Sequence, residues 1–437
     1  MLHNPHSAFE LPQITYNEIY RVSIFLIAVH YFGKIGALIR VPPLVGQIIA
    51  GTLLGPNLTN FTPNQKGLMM LGEVGLIFNM FDAGIELDVA LLATAGSLPI
   101  VISLLGAALS MGAGMAVGMA YGFDFQVNFA IGATFVQTAN AACLPVLRSG
   151  GIVRTHIGQV ILAATIIDDV IALIMLSVMD SFGSDEKIPI FQFFIPLLTS
   201  VGWIVVLGVI AIVIAPRLID NFILPRISRQ ADKNLVLFLM MSAVLAAYLP
   251  LLHYSRSSYL IGAFLCGATF SQVKSALNLY VEKGGQVNDW AMKMFFAANI
   301  GFQVPIKQFG TVNIWTFGLL LVFTAVVVKG AVGLFLPKYQ DFEKSDIYTL
   351  RDRLVAGISM TSRGGFGFLI SGFALKNSIF DAETYASVVL AVLIGTIFPA
   401  FLLNVVIVYF KKLELKSKED DSRNKIDKPE LELGKNP

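Results

Sequence analysis

The chain has 437 residues, of which 55% are hydrophobic and only 14% charged, with a formal net charge of +2. Soluble globular proteins carry about 25% charged residues, and the mean hydropathy of +0.72 likewise excludes an ordinary soluble domain and implies a polytopic membrane protein. So small a net charge does not point to a nucleic-acid partner. Two cysteines in apolar stretches, Cys143 and Cys266, argue against a disulfide framework or a metal site.

Residues 1–16 lack the basic start and short apolar core of a cleaved leader, and read as an outer N-terminal segment. About 20 apolar helical residues cross a bilayer core of about 30 Å. By that measure thirteen transmembrane spans are expected, approximately 17–38, 43–56, 68–83, 97–121, 127–147, 157–181, 192–215, 234–253, 259–271, 291–306, 313–336, 353–375 and 384–410. Residues 411–437 form a polar tail rich in Lys, Glu and Asp, expected to be solvated or disordered.

Charge placement fits this count. With the N-terminus outside, the inner side carries 23 Lys and Arg and the outer loops five, and Arg21, Lys329 and Arg363 remain within spans. This is a strong positive-inside asymmetry, and it puts the C-terminus in the cytoplasm. The outer loop "GPNLTNFTPN" holds sequons at Asn57 and Asn60. They would allow glycosylation in a eukaryotic host, although chance sequons are common in polar loops.

The second and ninth spans share a spacing, Gly46 and Gly51 against Gly262 and Gly267. The third and tenth share another, Phe78 and Gly84 against Phe295 and Gly301. Both matches fall at an offset of about 216 residues, seven spans apart. Copies seven spans apart run in opposite directions, which makes them inverted repeats of the transporter kind. The division is 17–181 for the first six-span repeat, 192–215 for a linker span and 234–410 for the second repeat. The fifth span, "AIGATFVQTANAACLPVL", gathers Thr134, Gln137, Thr138 and Asn140 above Pro145. Its repeat partner, the twelfth, holds Ser359, Thr361, Ser362, Arg363, Gly364 and Gly365. Unwound backbone at membrane depth is tolerated only in protein or along a cavity. Two such spans at related positions predict crossed, broken helices.

The sixth span reads "TIIDDVIALIML", with Asp168 and Asp169 adjacent. One charge at bilayer depth costs at least ~3 kcal/mol. Adjacent helical residues point about 100° apart, so the two acids cannot share a face. One of them can meet Lys329 of the eleventh span while the other faces a watery path. Burial favours a protonated carboxyl group, and a neighbouring cation opposes this. A hard monovalent cation would compete with the proton for the same oxygens, those of Asp168, Asp169 and the Thr138 hydroxyl, and competition with alternating access gives exchange. A purely structural Asp–Lys329 ion pair would explain one acid but not both.

"IIDDVIALI", "VKGAVG", "PPLVGQIIAGTLLGP", "LGEVGLIFNMFDAGIELD" and "VLIGTIFPAFLL" resemble the monovalent cation/proton antiporter superfamily, over roughly residues 17–410. The branch is that of the bacterial sodium/proton antiporters and the glutathione-gated potassium efflux systems. The resemblance implies an all-α, NhaA-like fold of thirteen spans and a transporter rather than an enzyme, with no cofactor. It further implies a homodimer, with a scaffold of spans 1–3 and 8–10 and a moving core of spans 4–6 and 11–13. Asp169 would carry the ion (Na+ or Li+), Asp168 and Lys329 would form a charge switch, and Gln137, Asn140, Ser362 and Arg363 would support the broken helices. The Asp-Asp pair is similar to that of the electrogenic sodium/proton group, where potassium efflux relatives have Gln-Asp. Two places depart from the pattern. Gly365 stands where relatives usually have an acid, and "QTANAA" replaces a hydroxyl cluster. Exchange of K+ for H+, and a channel or non-transporting sensor on the same scaffold, remain as other readings.

Outside that constellation, Asp82 is expected to pair locally within the scaffold, and Arg21 to snorkel outward. His30, His156 and His253 are expected as interfacial hydrogen-bonding groups. The segment "SALNLYVEKGGQVNDW" reads equally as a loop or as a helix on the membrane surface anchored by Trp290.

Overall fold

The computed structural model describes residues 14–38, 43–153, 155–180, 190–227, 229–336 and 346–426. Among them the regular structure is helical throughout. The helices are α1 (Tyr16–Leu38), α2 (Pro43–Leu54), α3 (Gln65–Ile85), α4 (Leu98–Ala120), α5 (Phe125–Thr134), α6 (Asn140–Ser149), α7 (His156–Asp180), α8 (Ile190–Val209), α9 (Gln230–Tyr254), α10 (Tyr259–Ser271), α11 (Lys293–Gln303), α12 (Val312–Gly330), α13 (Asp346–Thr361), α14 (Gly365–Lys376) and α15 (Ala382–Ile426). A short helix, Val89–Thr94, precedes α4 and is capped by Asp88, which accepts from Leu91 N at 2.9 Å.

Among the described residues, eight helical stretches are long and apolar enough to cross a membrane, or nine if the bent pair Tyr259–Ser271 and Ser275–Gln303 counts as one. Fewer stretches than the thirteen expected spans therefore reach full crossing length among the described residues. α2 is short, and the expected spans 127–147 and 353–375 are each divided in two, as α5–α6 and α13–α14. The "SALNLYVEKGGQVNDW" segment is helical rather than a loop. Its helical turns begin at Lys274 and run on into α11, at 116° to α10, with Trp290 exposed. Of the tail, residues up to Ile426 continue α15 in helix rather than as disordered chain. Its alternating Lys and Glu residues allow helical i,i+4 pairing, and no Gly or Pro interrupts residues 400–426.

α8 and α9 turn Val205, Phe238 and Leu239 outward, the surface expected against lipid rather than water. Elsewhere small residues bring helices into close contact, the usual substitute for a hydrophobic driving force in membranes. A β-carbon on Gly84 would overlap the Phe264 carbonyl of α10, and one on Gly267 would overlap the Phe81 carbonyl of α3. The other pairing repeats this. A β-carbon on Gly51 of α2 would fall 2.9 Å from Ala298 Cα of α11, and one on Gly301 would fall 2.5 Å from the Ile48 carbonyl.

The side chain of the Asn57 sequon is engaged internally. The Asn57 amide donates to Phe302 O at 2.8 Å and to Val304 O at 2.9 Å, so it ties the end of α2 to the end of α11. Asp82 pairs with Lys293 at 3.0 Å. Arg21 lies over the Phe61 ring, and His253 packs edge-on against Tyr254.

Candidate functional site

α5 stops at Thr134 and α6 starts at Asn140, while α13 stops at Thr361 and α14 starts at Gly365. The two interruptions cross each other, and each leaves main-chain groups without helical partners. Ala139 N donates to Ser362 O at 2.9 Å. The Thr138 hydroxyl donates to Met360 O at 3.0 Å, and the Cys143 thiol to Ser359 O at 3.4 Å. Gly364 is needed here because a β-carbon would lie 2.7 Å from Ala139 Cβ.

Two buried cations take the carbonyls of the first interruption. Arg363 Nη1 donates to Phe135 O and, at 3.1 Å, to Gln137 O, and Nη2 reaches Ala325 O at 3.4 Å. Lys329 Nζ donates to Val136 O. Cations are favoured at the C-terminal end of a helix such as α5, where carbonyls are left over. The second interruption is held from α15. Pro399 has no N–H, so the Gly395 carbonyl four residues before it loses its usual helical donor. That carbonyl accepts from Arg363 N at 3.0 Å instead.

Asp168 is fully buried. Its Oδ2 receives Lys329 Nζ at 2.8 Å and the Thr138 hydroxyl at 2.5 Å, and its Oδ1 receives the Ser103 hydroxyl at 2.5 Å. Lys329 lies against Gly106 of α4, where a β-carbon would be 3.2 Å from Cε. Asp169, one residue on, is partly exposed. Its Oδ1 receives Gln137 Nε2 at 2.8 Å, and the side chain lines a cavity of about 190 Å³ together with Gln137, Ala139, Arg363, Gly364 and Gly365. Arg363 makes no ion pair with either acid among the described residues. A second cavity of about 570 Å³ is lined by Glu73, His253, Asn299, Gln303 and Lys376. The Phe296 ring lines this second cavity and is 3.0 Å from where a β-carbon on Gly365, in the wall of the first, would be.

The expected site residues thus fall into two groups. Asp168, Thr138 and Lys329 form a sealed cluster, whereas Asp169, Gln137 and Arg363 meet the cavity. Ser362 contributes its carbonyl to the crossing, and its hydroxyl is buried without a hydrogen bond among the described residues. Asn140 opens α6, but its side chain lies outside the described part. Sequence reasoning missed Ser103 and Gly106. Their only signal is a small-residue stripe on α4 like many others.

The family described as "Sodium/hydrogen exchanger, transmembrane" matches residues 22–406. An Na(+)/H(+) antiporter of Enterococcus hirae is 23% identical over 89% of this chain and 97% of its own length. The Na(+)/H(+)-K(+) antiporter GerN of Bacillus cereus is 23% identical over 86% of this chain and 93% of its own. The structure of the sodium proton antiporter MjNhaP1 from Methanocaldococcus jannaschii matches with a TM-score of 0.65 at 15% identity, over 90% of this chain and 98% of that one.

Proposed function

The chain belongs to the sodium/hydrogen exchanger family, and from that premise we propose that it is a secondary antiporter. It exchanges Na+ (or Li+) for H+ across a membrane by alternating access, and does so electrogenically. One observation carries the reading. Of two adjacent acids, Asp168 is sealed on Lys329 at 2.8 Å while Asp169 stands on a cavity wall.

Asp169 binds the transported ion, and a proton and a cation compete for its oxygens. Asp168, with the Thr138 hydroxyl on it, gives up Lys329 when the cation loads and regains it when protonation empties the site. Gln137, Asn140, Ser362 and Arg363 support the broken helices. In each neutralised state the core crosses without the cost of a bare charge in the membrane. Alternating access has support in the two cavities, which meet opposite halves of α3, Met80 and Ala83 in one and Met69 and Glu73 in the other.

Thirteen crossings follow if α5–α6 and α13–α14 each count as one broken span, with α2, α10 and α11 as short ones. The N-terminus is then outside and the C-terminus cytoplasmic. Residues 17–181 and 234–410 are inverted repeats around the linker span 192–215. The glycine contacts support this, since Gly51 on Gly301 and Gly267 on Gly84 exchange under the 216-residue offset. A homodimer through the scaffold, serving pH homeostasis, completes the proposal.

The test is flux in proteoliposomes holding a pH dye, with pulses of Na+, Li+, K+ and Cs+, for wild type and Asp169→Asn. Proton movement driven by Na+ or Li+ and abolished in Asp169→Asn is the expected result. Movement with K+ as well turns the assignment to a potassium or broad exchanger. A folded protein that moves no protons with any cation sinks the antiporter assignment.

A further inference from the structure

We propose that Gln137 is a direct ligand of the transported ion, its side-chain oxygen completing a site with the Asp169 carboxylate that either a proton or a cation can fill. The proposal rests on the antiporter reading and assigns Gln137 more than the support of a broken helix.

That support needs only the main chain. Gln137 O accepts from Arg363 at 3.1 Å, which any residue at the position would provide. The side chain is nevertheless 7% exposed, and burying an amide with an unmade hydrogen bond costs about 1–3 kcal/mol. Its nitrogen is accounted for, since Nε2 donates to Asp169 Oδ1 at 2.8 Å. Its oxygen is not: Oε1 is buried and accepts from no described residue. It stands 3.4 Å from where a Gly364 β-carbon would be, and Gly364, Gln137 and Asp169 all line the same cavity of about 190 Å³. That is the space of roughly six waters, enough for a partly hydrated monovalent cation.

When the bonding N–H is the one on the carbonyl side of the amide, the C=O faces the other carboxylate oxygen. Between them a single position remains. A proton on Oδ2 would close a cyclic acid–amide pair there, donating to Oε1. A cation would close the same ring, coordinated by Oδ2 and Oε1, with carbonyl oxygen replacing part of its hydration shell as in selectivity filters. The two ions therefore exclude each other at one pair of oxygens. Gly365 leaves the cavity wall without an acid at its own position, so a neutral oxygen supplies the second ligand. The orphaned acceptor is then explained, because its partner is the cargo.

The experiment compares wild type, Gln137→Met and Gln137→Glu in proteoliposomes across a Na+ series, alongside the Na+-induced rise in unfolding midpoint in detergent. Met keeps the length and packing and removes both polar atoms, while Glu keeps an oxygen ligand. The expected result is a Na+ half-saturation about tenfold higher in Gln137→Met, with maximal rate within about threefold and the Na+-induced midpoint rise reduced. Gln137→Glu keeps half-saturation within about threefold of wild type or tightens it. If Gln137→Met fails to fold, Gln137→Glu decides alone, and a tenfold weakening there overturns the proposal. Wild-type half-saturation and midpoint rise in Gln137→Met reduce Gln137 to packing and also overturn it. A wild type that binds Na+ in the midpoint assay but exchanges nothing brings down the antiporter reading instead. The ligand assignment is then judged on the midpoint rise of the two variants.

Discussion

Where α3 meets α10, Gly84 and Gly267 let each backbone press on the carbonyls of the other. Where α5–α6 meets α13–α14, both helices come apart, and side chains from α4, α7 and α12, with a main-chain carbonyl from α15, fill the gaps. At the first crossing backbone lies on backbone, with no space for a β-carbon at Gly84 or Gly267. At the second, two groups have alternative partners in reach: the Thr138 hydroxyl contacts both Asp168 and Met360 O, and Lys329 contacts both Asp168 and Val136 O. A close-packed interface is suited to staying in one arrangement. A polar one can exchange donors and acceptors at small net change, since each hydrogen bond is worth only about 1 kcal/mol net.

Substitutions can break or sharpen that contrast. The largest effect is expected from Lys329→Met, which leaves Asp168 charged, buried and unpaired, at about 3–5 kcal/mol. The unfolding midpoint in detergent should fall sharply, and Lys329→Met combined with Asp168→Asn should recover much of the loss. If the double variant melts no higher than the single one, the pair is not what holds the crossing. Next comes Gly84→Val, which forces α3 and α10 apart at about 1–3 kcal/mol and should lower the midpoint with no partner substitution able to restore it. Pro399→Ala is smaller. It gives Gly395 O back a helical donor, in competition with Arg363 N, for at most about 1 kcal/mol. Its effect should therefore appear in the exchange rate rather than in the midpoint, and an unchanged rate would detach Pro399 from the crossing. Asp82→Asn is the smallest, since the Lys293 partner is 40% exposed and such a pair contributes at most about 1 kcal/mol. Flux and melting should both stay near wild type.

Much of this was legible in the sequence, for physical reasons. Asp168, Asp169 and Lys329 stand out because charge inside an apolar run is costly. The interruptions at Gln137–Ala139 and at Ser362–Gly364 stand out because polar residues and glycine cluster where a helix should be apolar. Less visible was everything done by main chain. Phe135, Val136 and Gln137 receive the two buried cations through their carbonyls, and no side chain announces that. Ser103 looked like any small residue until the fold brought it to Asp168. The pairing of Gly395 with Pro399 is written plainly in the sequence, but its use depends on Arg363, which is 32 positions earlier. The segment 274–292 was ambiguous because its polarity suits a loop as well as a helix, and helical continuity into α11 decided between them.

The helix α15 has a practical consequence. It runs from Ala382 to Ile426, and its apolar part ends at Leu413. At 1.5 Å per residue, the polar stretch 414–426 projects about 20 Å further along the same axis. Such a rod acts as a pointer fixed to the body that bears Gly395. A tilt of about 10° at its base would carry the tip through about 3 Å on that length. A spin or fluorescent label near its end would therefore magnify small rotations at the carboxylates into distances that can be measured in water, without placing a probe near the ions.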